Sequence, residues 1–228
     1  MGLIANGRIT CYGDQKVGNV GAMSVEGANG DGNDSNRADA MVGFGYKQAW
    51  LAVRNADPDQ LTKTMGLRDL GEVSWRSGVD LAYLTDDRLT LTPALPGAGD
   101  SAWVLITGRW LLIAASTVDI LELSATLDTE VQSFASYRVG EAHRWARAVS
   151  GILVRSFAYV GERGEVTDWR GDPDDTELAI GLPATLEPDS GVLVSEADVM
   201  RVAGAWSVDP SALDGRPASG PLRVATAP

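Results

Sequence analysis

Three strand-like runs in close succession constrain the fold of this 228-residue chain more than any other feature. Val131 to Tyr137, Ala142 to Val149 and Ile152 to Val160 each mix aromatic and aliphatic residues with polar ones, and turn-forming residues separate them. Ser150-Gly151 is the tightest connection, of the length that joins two antiparallel strands. Gly161-Glu162-Arg163-Gly164 leads on into a fourth run, Glu165 to Trp169. Such short links leave no room for crossover helices, so the segment predicts an antiparallel meander.

The remaining chain supplies strands and helices without regular alternation. Lys47 to Arg54 and Arg88 to Thr92 read as strands, and Trp103 to Thr107 and Trp110 to Ala114 as a strand pair around Gly108-Arg109. Asp57 is a suitable N-cap for a helix over Asp59 to Met65, with Pro58 at its first position and Gly66 beyond its end. Thr117 caps a second helix over Val118 to Leu127. Ser195 and Asp198 form a capping-box pattern for a third, reaching Ala205, with Val199, Val202, Ala203 and Trp206 on one face. The expected fold is α+β: a mainly antiparallel sheet with helices packed on one side, in a single domain. Its expected limits are residues 45–213. Residues 1–44 read as a loosely ordered leader, because Gly27 to Asn36 is polar and glycine-rich, and residues 214–228 as an irregular tail, because Gly215, Pro217, Gly220 and Pro221 break regular structure.

Composition bounds the chemistry. At 24.1 kDa the chain is long enough to bury about 70% of its extended surface in one core. The formal charge of −12 opposes nucleic acid and anionic membranes as partners. A single cysteine, Cys11, and a single histidine, His143, exclude an internal disulfide and a Cys/His zinc site. No apolar run reaches the roughly 20 residues of a membrane span, no secretory signature opens the chain, and a cytoplasmic location is expected. Neither G-x-G-x-x-G nor a G-x-x-x-x-G-K-[ST] loop is present, so no nucleotide cofactor, and no metal, is expected.

The densest polar cluster surrounds the imidazole. With a two-residue turn at Ser150-Gly151, His143, Trp145 and Arg147 share one strand face, and Ile152, Val154, Ser156 and Ala158 line the same face of the partner. Glu141 is then a candidate to orient His143 as a base, and Ser156 the serine to test as a nucleophile. The more common role for such a histidine is structural. Arg138, Arg144, Arg147, Arg155, Arg163 and Arg170 offer bidentate donors for a carboxylated or phosphorylated ligand. The competing expectation, which carries more weight, pairs them with acids of the C-terminal third. Trp145, Tyr159 and Trp169 are candidate binding aromatics, and Asp172, Asp174 and Asp175 form an acidic turn and helix cap. That turn lacks the spacing of a calcium loop.

The blocks His143 to Val166, Glu196 to Pro210 and Lys47 to Leu61 resemble a family of stand-alone bacterial proteins without an assigned activity. The resemblance spans about residues 47–209 and carries over no functional residue. The leading functional expectation is a non-enzymatic bacterial protein-binding module, of the immunity or antitoxin-like inhibitor kind, whose acidic surface engages a basic polypeptide. The alternative is a small enzyme or small-ligand protein with a pocket around Glu141, His143, Arg147 and Tyr159. A self-assembling scaffold, as a homo-oligomer, is the third.

Overall fold

The structure is a computed structural model describing residues 39–113 and 119–227. In chain order the elements are β1 (Ala49–Arg54), α1 (Pro58–Thr64), β2 (Arg68–Val73), α2 (Trp75–Leu84), β3 (Arg88–Leu91), β4 (Leu95–Gly97), β5 (Ser101–Thr107), α3 (Arg109–Ile113), α4 (Ile120–Leu127), β6 (Glu130–Tyr137), β7 (Ala142–Val149), β8 (Ile152–Val160), β9 (Glu165–Arg170), α5 (Asp175–Ala179), α6 (Glu196–Trp206) and β10 (Leu222–Thr226). The strands form one ten-stranded antiparallel sheet in the order β2-β10-β3-β5-β1-β6-β7-β8-β9, with β4 also paired to β5. The α+β class and the β6 to β9 meander are as the sequence predicts.

Local signals explain the elements. Asp57 accepts a hydrogen bond from the Gln60 amide at 3.0 Å, and Pro58 opens α1. Gly66 follows its end at φ 65°, where a side chain is strained. Ser195 and Asp198 close a capping box on α6, which buries Val199, Val202, Ala203 and Trp206. The cap of α4 is Asp119, donated to by the Leu121 and Glu122 amides, while Thr117 lies outside the described residues.

Four expectations are corrected. Helices cover both faces of the sheet. Trp50 and Ala52 of β1 join the core under α2 and α6, whereas Ala49, Leu51 and Val53 join the one under α1, α3 and α4. A strand apolar on both sides requires cover on both sides. Next, Trp110 to Ile113 of the expected strand lie in α3, because β5 pairs with β1 and β3 and leaves no vacant edge for a hairpin partner; Ala114 lies outside the described residues. The chain turns at Gly108, which lies against the Arg88 carbonyl where a Cβ has no room.

The third correction concerns the C-terminus, where the stretch read as an irregular tail contains β10, an interior strand hydrogen-bonded to both β2 and β3. Last, the folded unit begins before residue 45: Met41 and Phe44 are buried, and the Met41 amide donates to the Arg216 carbonyl at 2.8 Å. Residues 1–38 of the expected leader lie outside the described residues.

Candidate functional site

Period-two pairing places the expected site residues on opposite faces. β7 and β8 pair Val149 with Ile152 and Ala148 with Leu153, then Arg147 with Arg155, so Val154 is an extra residue in a β-bulge. One inserted residue exchanges the two faces of everything beyond it. Trp145 therefore opposes Phe157, His143 opposes Tyr159, and Ser156 opposes Ala146. Ser156 and His143 point away from one another, which removes the Ser156–His143 nucleophile pair.

On the His143 face several of the expected residues are buried or paired within the fold. His143 is 4% exposed, its Nδ1 has no hydrogen-bond partner among the described residues, and Ser136 and Tyr159 flank it across the sheet. Burial lowers its pKa below the ordinary imidazole value, against the opposing fields of Glu196, Glu141 and Asp198. Glu141 sits on an exposed turn at φ 46°. Trp145 is buried and stacks on Phe157 with ring centroids 4.4 Å apart, and Tyr159 is also buried, so neither offers an interface. Arg155 is enclosed with Glu177 and stacks on half-buried Trp169 at 4.3 Å. Arg147 pairs with Glu130 at 2.7 Å, and exposed Arg138 lies 4.0 Å from Glu196. Asp174 caps α5 and accepts from the Trp206 indole, leaving Asp172 and Asp175 exposed.

The opposite face carries a cleft of about 390 Å³. Two lateral rows of paired residues make its floor. One runs Arg144, Ala158, Asp168 from β7 to β9, and the other Ser133, Ala146, Ser156, Arg170 from β6 to β9. Small side chains occupy most of these positions, so the floor is low between charged walls. Arg144 stands in mid-sheet, and Asp168 lies two strands away, about 10 Å at the usual strand spacing. Leu111 of α3, Asp119 at the cap of α4, and Ile120 and Leu121 of α4 line the other sides.

The charges of the cleft differ in how far they are satisfied. Asp168 is bound by Arg170 Nε at 3.0 Å and Nη2 at 2.9 Å, and Ser156 Oγ donates to its Oδ2. Burial pushes the Asp168 carboxyl up, but the bonds from Arg170 and Ser156 outweigh it and hold the group below its usual range. A carboxylate so held is a poor proton acceptor, and Ser156 is not activated by it. Arg144 is different: among the described residues its one side-chain hydrogen bond is from Nη2 to the Leu111 carbonyl at 3.4 Å, and it forms no ion pair there. Burial lowers its pKa to about 10.

Arg144 was legible as a binding candidate, whereas Asp168, Ala146 and Ala158 were not. The available signal was the alternation in β7, where Ala142, Arg144, Ala146 and Ala148 interleave with bulky or polar neighbours. Among the described residues no cluster of three metal-ligating side chains occurs, and no helix is long and apolar enough to cross a membrane. Comparisons with family models, with curated proteins and with solved structures found no match.

Proposed function

We propose that the protein binds a small anionic ligand, seated on Arg144 in the cleft over β6 to β9. The observation that carries this reading is Arg144 itself: a guanidinium drawn out of water, without a carboxylate partner among the described residues, at the wall of a 390 Å³ cleft. Guanidinium offers five N–H donors, and a bidentate carboxylate contact uses two of them. Other arginines of the sheet, Arg147, Arg155 and Arg170, are paired to Glu130, Glu177 and Asp168. The cleft volume falls within the roughly 300–1,000 Å³ of small-molecule sites.

The test is thermal denaturation of the full chain with acetate, benzoate or inorganic phosphate, for wild type and Arg144→Met. A rise in Tm with at least one anion, absent from Arg144→Met, is the expected result. Equal responses in the two proteins overturn the reading.

A second reading, docking of a basic polypeptide, is favoured by the −12 charge and by the exposed Asp172 and Asp175. Asp174 and Glu177 are engaged inside the fold, so the charge reversal that tests this face is Asp172→Lys with Asp175→Lys. Unchanged affinity for an isolated basic partner in that variant removes the face from consideration.

A further inference from the structure

Building on the anion-binding reading of the Arg144 cleft, we infer that its ligand is a monocarboxylate with an apolar body, of the alkanoate class. Two observations separate this class from sugars and dianions. The first is the closure of the polar wall. Asp168 receives three side-chain hydrogen bonds from Arg170 and Ser156, and Ser156 has its proton committed to Asp168. A carboxylate has about four lone-pair positions, so Asp168 has little capacity for a ligand amine or hydroxyl. The Asp168–Arg170 pair is also neutral as a unit, and Asp119, the other carboxylate of the lining, is exposed and has its Oδ1 engaged by the Leu121 and Glu122 amides as the cap of α4, so Arg144 is the cation the cleft leaves without a carboxylate.

The second observation is the lining of the rest. Leu111 and Ile120 are buried, Leu121 and Leu153 are half-buried, and Ala146 and Ala158 keep the floor low between them. A second charge or a polyol placed against these aliphatic side chains loses its hydration and meets few polar groups, Ser133 and Asp119 being the others of the lining, which costs free energy for each polar atom left unpaired. An alkyl chain meets aliphatic side chains and gains by leaving water. One charge balanced on Arg144 and one apolar body beside it matches the guanidinium and the aliphatic part of the lining.

The expected experiment is calorimetric titration of the full chain with acetate, butanoate, hexanoate and octanoate, and with suberate, which has the length of octanoate and a carboxylate at each end. Affinity should rise by up to about fourfold per added methylene while the chain is being buried. Suberate should bind at least tenfold more weakly than octanoate. Arg144→Met should lose the whole series. Ala146→Leu, which keeps the charge and fills part of the floor, should shorten the chain length at which affinity stops rising.

Arg144-dependent binding with no gain along the series, or suberate binding as well as octanoate, overturns the alkanoate assignment and leaves anion binding standing. Binding unaffected by Arg144→Met, or no binding by any member together with no Arg144-dependent Tm response to acetate, benzoate or phosphate, overturns both. A folded far-UV spectrum for each variant separates these outcomes from misfolding.

Discussion

Arg155 and Glu177 form an ion pair that water does not reach. Arg155 Nε donates to both Glu177 oxygens, at 2.9 and 3.1 Å, and the two side chains are 2% and 0% exposed. Further partners hold the pair: the Trp145 indole and the Asp174 amide donate to Glu177, and Arg155 Nη1 donates to the carbonyls of Arg170 and Gly171. It joins the strand β8, the end of β9 and the start of α5 at one point. Arg155 thus holds the fold, whereas Arg144, on the opposite face, lies in the cleft without a carboxylate partner among the described residues.

Breaking that pair on one side should destabilise the protein severely. Glu177→Gln or Arg155→Met leaves a charge buried without its counterpart, which costs about 3–5 kcal/mol. Urea denaturation followed by Trp fluorescence reads the loss. The double variant Arg155→Met/Glu177→Met should recover part of it, because both charges are gone.

The imidazole gives a stability gradient with pH. His143 has its folded pKa lowered, first by burial, so the unfolded chain takes the proton more readily than the folded one. Its stabilising contribution is therefore present above the ordinary value of 6.5 and is lost as the pH falls below it towards the folded value. Denaturation midpoints at pH 7.5 and pH 5.5 should differ less in His143→Gln than in wild type. With one histidine in the chain, its ring protons titrate without overlap in a proton NMR spectrum.

Removal of the last strand should abolish folding. A chain ending at Pro221 lacks β10, exposing the unpaired edges of β2 and β3 and leaving the places of Leu222 and Val224 vacant. Circular dichroism on heating should show no cooperative transition, where an irregular tail would have been dispensable.

Ser156 should act on Asp168 and on nothing in the His143 cluster. Ser156→Ala removes one of the bonds that hold the Asp168 carboxyl low, so its pKa should move up, towards the direction in which burial already pushes it. Carbon-detected titration of the side-chain carboxyl measures the shift. The His143 ring titration should be unchanged, because the two residues lie on opposite faces of the sheet.

Local signals in the chain were sufficient for the elements they act on directly. Asp57-Pro58 and the Ser195/Asp198 box begin helices because side chains satisfy amides only two or three residues away. The β6 to β9 meander follows from short turns, which bring neighbours in sequence together. Segments whose partners lie far along the chain were not legible in this way. Leu222 to Thr226 forms a strand because β2 and β3, both far earlier in the chain, hold an interior slot open for it. Trp110 to Ile113 is equally apolar, yet it is helical where β5 already has both neighbours.

The candidate site turned on a single residue. Arg144 and Arg147 look equivalent in the sequence, and the strand pattern alone puts them on opposite faces. Which face carries Ser156 depended on Val154, the bulged residue, and no local preference in Ile152 to Ser156 marks it. A register is fixed by the match of whole faces to the cores above and below them, with Trp145, Phe157 and Phe134 on one side and Ala135 and Ala148 on the other. Composition and spacing thus specified a charged, mainly antiparallel α+β chain, while the pairing of Arg147 with Glu130 and the lack of a carboxylate beside Arg144 among the described residues belong to long-range packing, because what stands beside a charge is settled by what the rest of the fold brings there.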